Sequence, residues 1–307
     1  MNVLVVGLGS IGSRHARLFK EVKGVEVVAL RQHGRGNTLG LREIRSWKEA
    51  AAFAPDVAVI AGPTNTHVAS ALRAARLGAH LFIEKPLSDV MTDVAALAAL
   101  CRKKKRLCYV AYPLRFHPVV RRAMELLKGK KAAYARAACS SYLPDWRPGR
   151  PVTQTYSAQK RMGGGVILDL SHEFDYLSCL FGPVASIRGC KARVAAVTVD
   201  AEDTADALVA FHGGMHAAVH LNFMSRLSER WFHVDFKDGF LRGDLLGNTL
   251  RVVKPGTDRT ETFSLDRDDL FRVQRDYFLS ALRSGTIVND ISEAKNLLKK
   301  ILEFRHA

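Results

Sequence analysis

The 307-residue sequence lacks most features that would place it outside the ordinary globular proteins. Its five cysteines are odd in number and none forms a Cys-x-x-Cys pair, which argues against a disulfide framework or a cysteine-based zinc site. No apolar stretch reaches the ~18 residues that span a bilayer. The chain starts directly with a strand pattern and no basic leader, so we expect no signal peptide and a cytoplasmic protein with free thiols.

Acidic residues are also scarce relative to basic ones. The sequence has 46 Lys and Arg against 30 Asp and Glu, which gives a formal net charge of +16. Such a charge favours anionic partners such as nucleic acid, acidic lipid or phosphorylated small molecules, although a basic surface without a specific partner explains it equally well. Because no recognised nucleic-acid-binding motif is present, we predict neither a specific nucleic acid nor a membrane as partner.

Strand and helix patterns divide the chain into two parts. Residues 1–115 alternate strands and helices with short connections, which is typical of a parallel sheet with crossover helices. Hairpin-like strand patterns dominate residues 116–307, including one with a turn at Gly213–Gly214, and helices return near the C-terminus. The predicted fold class is therefore an α/β Rossmann domain with a doubly wound parallel sheet, followed by an α+β domain with a mostly antiparallel sheet.

The segment GLGSIG, residues 7–12, fits the pattern G-x-G-x-x-G between a strand and a helix at the start of a βαβ unit. The first glycine permits the tight turn, the second lets a pyrophosphate approach the backbone, and the third lets helix and strand pack closely. The helix N-terminus then faces the diphosphate. We therefore predict a dinucleotide site, with a ligand-free glycine turn as the plainer alternative. Its predicted contacts are Gly7, Gly9, Ser10, Ile11 and Gly12.

The end of the second strand predicts which nicotinamide dinucleotide binds. An acidic residue about 20 positions after the glycines would bind the ribose 2′-hydroxyl, whereas arginine accommodates a 2′-phosphate. Arg31 stands 19 positions after Gly12, Arg35 follows it, and the sequence shows no acid beside them. We therefore predict that NADP(H) is favoured. If this basic loop only faces solvent, NAD(H) is acceptable as well.

Four further motifs follow in order along the chain. They are AGPTNTH (61–67), EKP (84–86), RFHP (115–118) and GGGVILDLSHEFD (163–175). Together with the glycine loop, they make the sequence resemble the Gfo/Idh/MocA oxidoreductases over nearly its whole length. The resemblance implies a large open sheet in the second domain, and homodimers or homotetramers formed through it. It also implies hydride transfer between the nicotinamide and a hydroxyl or keto group of a sugar, cyclitol or nucleotide sugar.

The resemblance also implies site residues. The catalytic set would be Lys85 of the EKP motif with Asp169 and His172 after the glycine run. The segment Asp169-Leu-Ser-His172 is one residue shorter than the family's usual Asp-x-x-x-His. Further cofactor contacts by resemblance are Thr64, Asn65, His67, Glu84 and Lys85, and Arg115 is expected to contact substrate.

The residues support the same candidates on physical grounds. On a continuous helix over residues 165–182, Asp169, His172 and Tyr176 share one face, and the preceding glycines would let backbone or substrate come close. An imidazole suits proton uptake at neutral pH, so His172 is the predicted general base, with Lys85 stabilising developing alkoxide and Asp169 orienting the substrate. Tyr176 would contact substrate. For each group a structural hydrogen bond is the plainer alternative.

The cation at Lys85 lies at the C-terminal end of a predicted parallel strand, where ligands bind in open α/β sheets. The ring of Pro86 restricts the chain just after it, and the resemblance suggests a cis peptide there.

The segment from residue 142 to residue 165 combines basic, aromatic and turn residues. Loops placed by a scaffold often carry specificity, and arginine binds phosphate or carboxylate with two hydrogen bonds. We predict that this segment, called the substrate loop below, binds an anionic sugar or nucleotide sugar; a solvated basic lid is the alternative. The resemblance points to branches active in bacterial surface-sugar synthesis. Its candidate contacts are Trp146, Arg147, Arg150, Tyr156, Lys160 and Arg161.

Two other functions remain open from the sequence. One is a glycoside-cleaving enzyme that keeps NAD tightly bound and uses transient oxidation. The other is a non-catalytic regulator or binding protein that senses NAD(P), against which the retained Lys85, Asp169 and His172 argue. We predict no metal site, because His212, His216 and His220 lie on a hairpin too extended to let them chelate one ion.

Overall fold

The computed structural model describes residues 1–31, 36–195 and 197–307. By their internal contacts these residues form two compact units. The first unit comprises Met1–Tyr112 and Phe271–Leu298, and the second comprises Pro113–Leu270 and Lys299–Ala307. The sequence had placed one boundary between residues 115 and 116 and had assigned every later residue to the second domain.

The first unit contains a parallel sheet of six strands in the order β3-β2-β1-β4-β5-β6. This is the predicted doubly wound Rossmann sheet. The short β3 escaped prediction because three residues are too few to show a periodicity. The strands are β1 (Asn2–Val6), β2 (Glu26–Leu30), β3 (Arg42–Ile44), β4 (Val57–Ile60), β5 (His80–Glu84) and β6 (Cys108–Ala111); the helices between them are α1 (Ser10–Lys20), α2 (Trp47–Phe53), α3 (His67–Arg76) and α4 (Val94–Lys104).

The second unit contains a sheet of eight strands in the order β14-β13-β12-β11-β7-β10-β9-β8, parallel only between β7 and β10. The prediction of a large, mostly antiparallel sheet is confirmed. The helices are α5 (Pro118–Leu127), α6 (Val166–Asp169) and α7 (His172–Phe181); the strands are β7 (Ala132–Ser140), β8 (Val184–Ala192), β9 (Thr204–Phe211), β10 (His216–Asn222), β11 (Glu229–Phe236), β12 (Gly239–Asp244), β13 (Thr249–Lys254) and β14 (Thr257–Thr262).

One face of this second sheet is buried and the other is open. Val209, Val219 and Phe232 lie on one face and are buried. Successive side chains of a strand point to opposite faces, so their neighbours lie on the other face. Leu208, the neighbour of Val209 on β9, keeps 59% of its surface exposed. The hairpin of β9 and β10 turns at residues 212–215, as its Gly-Gly pair predicted.

Two C-terminal helices follow, α8 (Arg267–Ser284) and α9 (Ile291–His306). Residues 271–298 belong to the first unit because α8 packs on its sheet. The ring of Phe278 lies 5.4 Å from that of Phe82, and Gln274 donates a hydrogen bond of 3.0 Å to the hydroxyl of Tyr109. Such contacts between distant segments leave no local signal in the sequence. Within the described ranges, no helix has the length and apolarity needed to cross a bilayer.

His117 is the N-cap residue of α5 in the second unit, and its Nδ1 accepts a hydrogen bond from the backbone amide of Val119 at 3.3 Å. The side chain is almost completely buried. Burial disfavours the charged imidazolium and lowers the pKa of His117 from 6.5 to about 4. The folded protein therefore holds this ring neutral over a pH range in which the unfolded chain protonates it.

This difference predicts a loss of stability in mild acid. The contribution of His117 is complete above an unfolded pKa of 6.5 and is lost as the pH falls towards the folded value of about 4. The free energy of unfolding should drop by roughly 3 kcal/mol over this range because of His117 alone. His117→Asn keeps a good N-cap residue and should lack this part of the slope in urea titrations at successive pH values. The exposed His216→Asn is the control and should keep it. Equal slopes in His117→Asn and the wild type would contradict the assignment.

Candidate active site

The glycine loop after β1 forms the cradle that its sequence predicted. Gly7 has a φ of +94°, and a Cβ there would lie 3.0 Å from the carbonyl oxygen of Ala61. A Cβ on Gly12 would overlap the carbonyl oxygen of Gly7, whereas one on Gly9 would meet nothing within 4 Å. The first and third glycines are therefore needed for close packing within the protein. The second leaves open space beside the backbone, where a ligand can approach.

The start of α1 suits an anionic ligand. Gly9 is its N-cap residue, and no side chain caps this end among the residues that the structure describes. The first amide groups of the helix thus keep their hydrogens available, and the helix dipole favours negative charge there. Ser10 and Ile11 lie in this first turn, and Ser10 is exposed. These features fit the diphosphate of a dinucleotide.

Arg31 directly follows β2, the position expected for a residue that contacts the 2′ group of the ribose. Its Nη1 donates to the carbonyl oxygen of Gly36 at 2.8 Å and to Oε1 of Glu43 at 3.2 Å. The sequence shows no acid beside Arg31, but the parallel pairing of Ala29 with Glu43 brings this acid of β3 alongside it. Hydrogen bonding from Asn37 and the charge of Arg31 lower the pKa of Glu43. Arg35 lies outside the described residues.

His67, a predicted cofactor contact, is instead buried between two backbone carbonyl groups. Its Nδ1 lies 2.9 Å from the oxygen of Pro86, and its Nε2 lies 3.0 Å from that of Gly62. Burial lowers the pKa of this histidine. Its ring therefore joins two loops, and its role as a cofactor contact stays a prediction. Of the other predicted contacts in this loop, Thr64 is buried and Asn65 is exposed.

Glu84 was also a predicted cofactor contact, but protein groups occupy both of its carboxylate oxygens. Nε2 of His15 lies 2.5 Å from Oε1, and the backbone amide of Lys85 donates to Oε2 at 3.2 Å. Lys85 itself is half-buried at the end of β5, and the peptide bond to Pro86 is cis, as the family resemblance suggested. Sequence reasoning missed His15. Its signal was a histidine on the buried stripe of α1, three residues after Gly12.

In the second unit, the helix predicted over residues 165–182 is broken. It ends as α6 at Asp169 and restarts as α7 at His172, with Leu170 outside helical geometry at φ −97° and ψ 26°. The inference that Asp169, His172 and Tyr176 share one face assumed a continuous helix, and this break removes its basis. The shortened Asp-to-His spacing falls at this break. Asp169 and His172 are both buried.

Two predicted substrate contacts are buried in the second unit. Tyr176 is fully buried, and its ring lies 5.8 Å from that of Phe232. Arg115 donates three hydrogen bonds of 2.7–3.0 Å to the carboxylate of Asp175, and both residues are buried. A buried carboxylate requires such a partner, which explains the pairing.

Tyr156 of the substrate loop holds one of the catalytic candidates. Its hydroxyl donates a hydrogen bond of 2.6 Å to Oδ1 of Asp169. Burial raises the pKa of Tyr156 well above its ordinary value, and the negative charge of Asp169 raises it further. The guanidinium of Arg147 lies 5.6 Å from the centre of the same ring. The fold thus brings together Arg147, Tyr156 and Asp169, which the sequence predicted as separate site residues.

The other loop candidates lie nearer to solvent. Trp146 donates from Nε1 to the Ser141 hydroxyl at 2.9 Å and remains 39% exposed. Arg150 donates to the carbonyl oxygen of Gln154 at 2.6 Å, and Lys160 and Arg161 are exposed. These cations have aliphatic stems and accessible charge, so the loop presents a basic surface. Over the described part of the chain, no group of three or more His, Cys, Asp or Glu side chains is arranged to hold a metal ion.

The glycine run before α6 packs against the protein itself. A Cβ on Gly164 would overlap the carbonyl oxygen of Tyr156, and one on Gly165 would overlap the carboxylate of Glu202. That carboxylate pairs with Arg305, whose Nε lies 3.1 Å from Oε1. These glycines were expected to let either the protein backbone or a substrate come close. The structure shows close approach of protein groups.

Comparisons with known proteins agree with this architecture. Residues 1–112 match the family described as Oxidoreductase family, NAD-binding Rossmann fold, and residues 120–242 match the GFO/IDH/MocA C-terminal domain. UDP-N-acetylglucosamine 3-dehydrogenase of Acidithiobacillus ferrooxidans is 25% identical over 92% of this chain and 88% of its own. D-xylose 1-dehydrogenase (NADP(+)) 2 of Haloferax volcanii is 25% identical over 75% and 70%. Levoglucosan dehydrogenase, solved with NADH and levoglucosan, has the same fold, with a TM-score of 0.87 at 17% identity and coverage of 99% and 96%.

The open space at Gly9 generates a binding prediction. Gly9→Ala should weaken NADPH binding by about tenfold or more, because its methyl group enters the space that a pyrophosphate needs. The melting temperature should stay unchanged, since that methyl group meets no protein atom within 4 Å. Fluorescence titration with NADPH measures the first effect. Gly213→Ala, whose Cβ has no neighbour closer than 4.0 Å, is the control and should alter neither quantity. Unchanged NADPH affinity in Gly9→Ala would exclude this loop as the diphosphate site.

Proposed function

Because the chain belongs to the Gfo/Idh/MocA family of NAD(P)-dependent oxidoreductases, as its motifs predicted, we propose that it transfers a hydride between NADP(H) and a sugar-like alcohol or ketone. The observation that carries the proposal is a dinucleotide cradle with open space at Gly9, in the same unit as Lys85 at the end of β5. A sensor would need the cradle, but it would not need the proton-transfer groups.

Three side chains would serve the reaction. His172 takes up the hydroxyl proton during oxidation and returns it during reduction, because an imidazole exchanges protons near neutral pH. Lys85 donates a hydrogen bond to the reacting oxygen and stabilises its developing negative charge. Asp169, held by the hydroxyl of Tyr156, orients the substrate. The nicotinamide, when bound, supplies the hydride acceptor or donor.

The substrate we propose is anionic, with nucleotide sugars preferred. The substrate loop carries four cations in a segment of the second unit that also holds Asp169 through Tyr156. A diphosphate offers the oxygen acceptors that arginine and lysine bind. The relative named UDP-N-acetylglucosamine 3-dehydrogenase, which matches 92% of this chain, supports the choice. The proposed contacts are Trp146, Arg147, Arg150, Tyr156, Lys160 and Arg161.

For the cofactor we propose a preference for NADP(H). Arg31 follows β2 directly, where an acidic residue would favour the 2′-hydroxyl of NAD(H). Glu43 pairs with both Arg31 and Arg45, so two guanidinium groups share one carboxylate and the local charge stays positive. A relative whose name specifies NADP(+) matches 75% of this chain, which also supports the preference.

We further propose a homodimer or homotetramer formed through the open face of the second sheet. That face contains a shallow cavity of about 590 Å³ whose lining includes Leu208, Ala218 and Trp231. Leu208 lies on β9, next to the edge strand β8, and is 59% exposed, although an apolar side chain gains from being covered. The five cysteines, all within the described residues, form no disulfide, which supports a cytoplasmic location.

A substrate screen tests the activity. The purified protein is incubated with sugars, cyclitols and nucleotide sugars, and NADPH or NADH formation is followed by absorbance. UDP-N-acetylglucosamine should be oxidised with a kcat/KM at least about tenfold above that of free N-acetylglucosamine, because only the former offers a diphosphate to the loop. NADP⁺ should be used at least about tenfold better than NAD⁺, and Arg31→Ala should reduce that ratio.

Variants of the proton-transfer group complete the test. His172→Ala should lower kcat by about 10²-fold or more, as expected for loss of a general base. The exposed His216→Ala is the control and should match the wild type. Wild-type kcat in His172→Ala at every pH would refute the role of His172. Bound nucleotide without net turnover of any substrate would favour the trapped-cofactor or sensor function instead.

The assembly is tested by the mass in solution. Leu208→Asp places a charge on the open face of the sheet, and it should convert the assembled wild type into smaller species in light scattering, because burial of an unpaired charge is costly. Leu246→Asp, at another exposed leucine (55%), is the control and should leave the mass unchanged. A wild type that is monomeric at micromolar concentration would refute the proposed assembly.

A further inference from the structure

We propose that two buried histidines of the first unit, His15 and His67, are positioning residues for Lys85. Each contacts the backbone or side chain of a residue next to this lysine, one on either side. The inference rests on the proposed function, in which the ammonium group of Lys85 contacts the reacting oxygen. It assigns a task to two side chains that the reaction itself does not use.

His15 acts through Glu84, the residue before the lysine. The ring is fully buried, with its edge towards Phe82 at a centroid distance of 4.9 Å. Since a carboxylate only accepts hydrogen bonds, Nε2 of His15 carries the proton in its 2.5 Å contact with Oε1 of Glu84. The second carboxylate oxygen accepts the amide hydrogen of Lys85 at 3.2 Å. The chain of contacts therefore runs from α1 through Glu84 to the backbone of Lys85.

His67 acts through Pro86, the residue after the lysine. Its Nδ1 lies 2.9 Å from the carbonyl oxygen of Pro86, and its Nε2 lies 3.0 Å from the carbonyl oxygen of Gly62. A neutral imidazole has a single N–H group, which we assign to Nδ1 and thus to Pro86. The chain of contacts runs from the first residue of α3 to the peptide that follows Lys85.

These contacts link the lysine to the two loops that the sequence assigns to the cofactor. His15 belongs to α1, which begins at the glycine loop, and His67 directly follows the loop from Pro63 to Thr66. A lysine side chain is long and flexible, so its anchorage decides where the ammonium group spends its time. A displacement of about 1 Å at a reacting centre can cost about 10²-fold in rate. Fixing both neighbours of Lys85 keeps its backbone in register with the cofactor loops.

Matched amide variants separate positioning from packing. The amide nitrogen of asparagine takes approximately the place of a histidine Nδ1, and that of glutamine takes approximately the place of Nε2. His15→Gln therefore keeps the donor to Glu84, and His15→Asn removes it. At His67 the order is reversed, because His67→Asn keeps the donor to Pro86 and His67→Gln removes it. The two variants of a pair carry the same amide group and differ by one methylene, which decides whether the donor reaches its acceptor.

The expected result is a split between kcat and cofactor affinity. His15→Asn and His67→Gln should lose about 10²-fold in kcat, whereas His15→Gln and His67→Asn should stay within about threefold of the wild type. The Kd for NADPH, measured by fluorescence, should change by less than about threefold in all four variants. His80→Gln is the structural control in β5, where His80 Nδ1 accepts the Leu107 amide at 3.0 Å. It should lower the melting temperature and leave kcat unchanged.

Equal losses of kcat in the two variants of either pair would overturn the proposal for that histidine. His15→Asn should also lower the melting temperature, because it takes a donor from a buried carboxylate. A loss of kcat that vanishes when the assay is run well below the melting temperature of the variant would overturn the proposal as well. Hydrogen exchange at the Lys85 amide gives a readout without turnover, and it should be at least about tenfold faster in His15→Asn than in His15→Gln. If the wild type oxidises no sugar, the proposed function fails, and this exchange ratio alone decides whether His15 holds the lysine backbone.

Discussion

The buried carboxylate of Glu84 is the contact on which the candidate site of the first unit depends. A carboxylate out of water is stable only with donors on its oxygens, and here the donors are the ring of His15 and the amide of Lys85. Removing either donor would leave a buried charge without compensation, which costs several kcal/mol. The hydrogen bonds that stabilise the buried Glu84 therefore also hold the backbone at the end of β5, where Lys85 follows.

The second unit follows the same physical rule with different partners. Glu173 pairs with Arg230, whose Nε lies 2.9 Å from Oε1, and Asp175 pairs with Arg115. Both carboxylates of α7 are thus occupied in ion pairs. Asp169, the last residue of α6, accepts a hydrogen bond from a neutral phenol of the substrate loop. That contact joins the proposed substrate loop to a candidate catalytic carboxylate.

The basic residues of the chain lie in different structural settings. The basic run of residues 102–106 lies at the end of α4 and just after it. Lys104 donates a hydrogen bond to the carbonyl oxygen of Arg76 and so stabilises the end of α3, and Arg106 contacts His80 at the start of β5. The cations of the substrate loop belong instead to the segment whose Tyr156 hydroxyl donates a hydrogen bond to Asp169. A net charge of +16 is therefore compatible with an enzyme that binds a small anionic substrate.

The sequence by itself determined the elements whose signals are local. The glycine spacing of residues 7–12, the buried runs of the parallel strands and the Gly-Gly hairpin each depend on neighbours within about ten positions, so periodicity and turn chemistry suffice to predict them. Motif order along the chain also identified the family. Only the tertiary structure decided the rest. The pairing of Arg31 with Glu43, the contact of His15 with Glu84 and the hydrogen bond from Tyr156 to Asp169 join residues 12, 69 and 13 positions apart. The break between Asp169 and His172 is a local event, but an apolar period continues across it. Side-chain partners depend on which elements the sheet places side by side, and no local pattern encodes that.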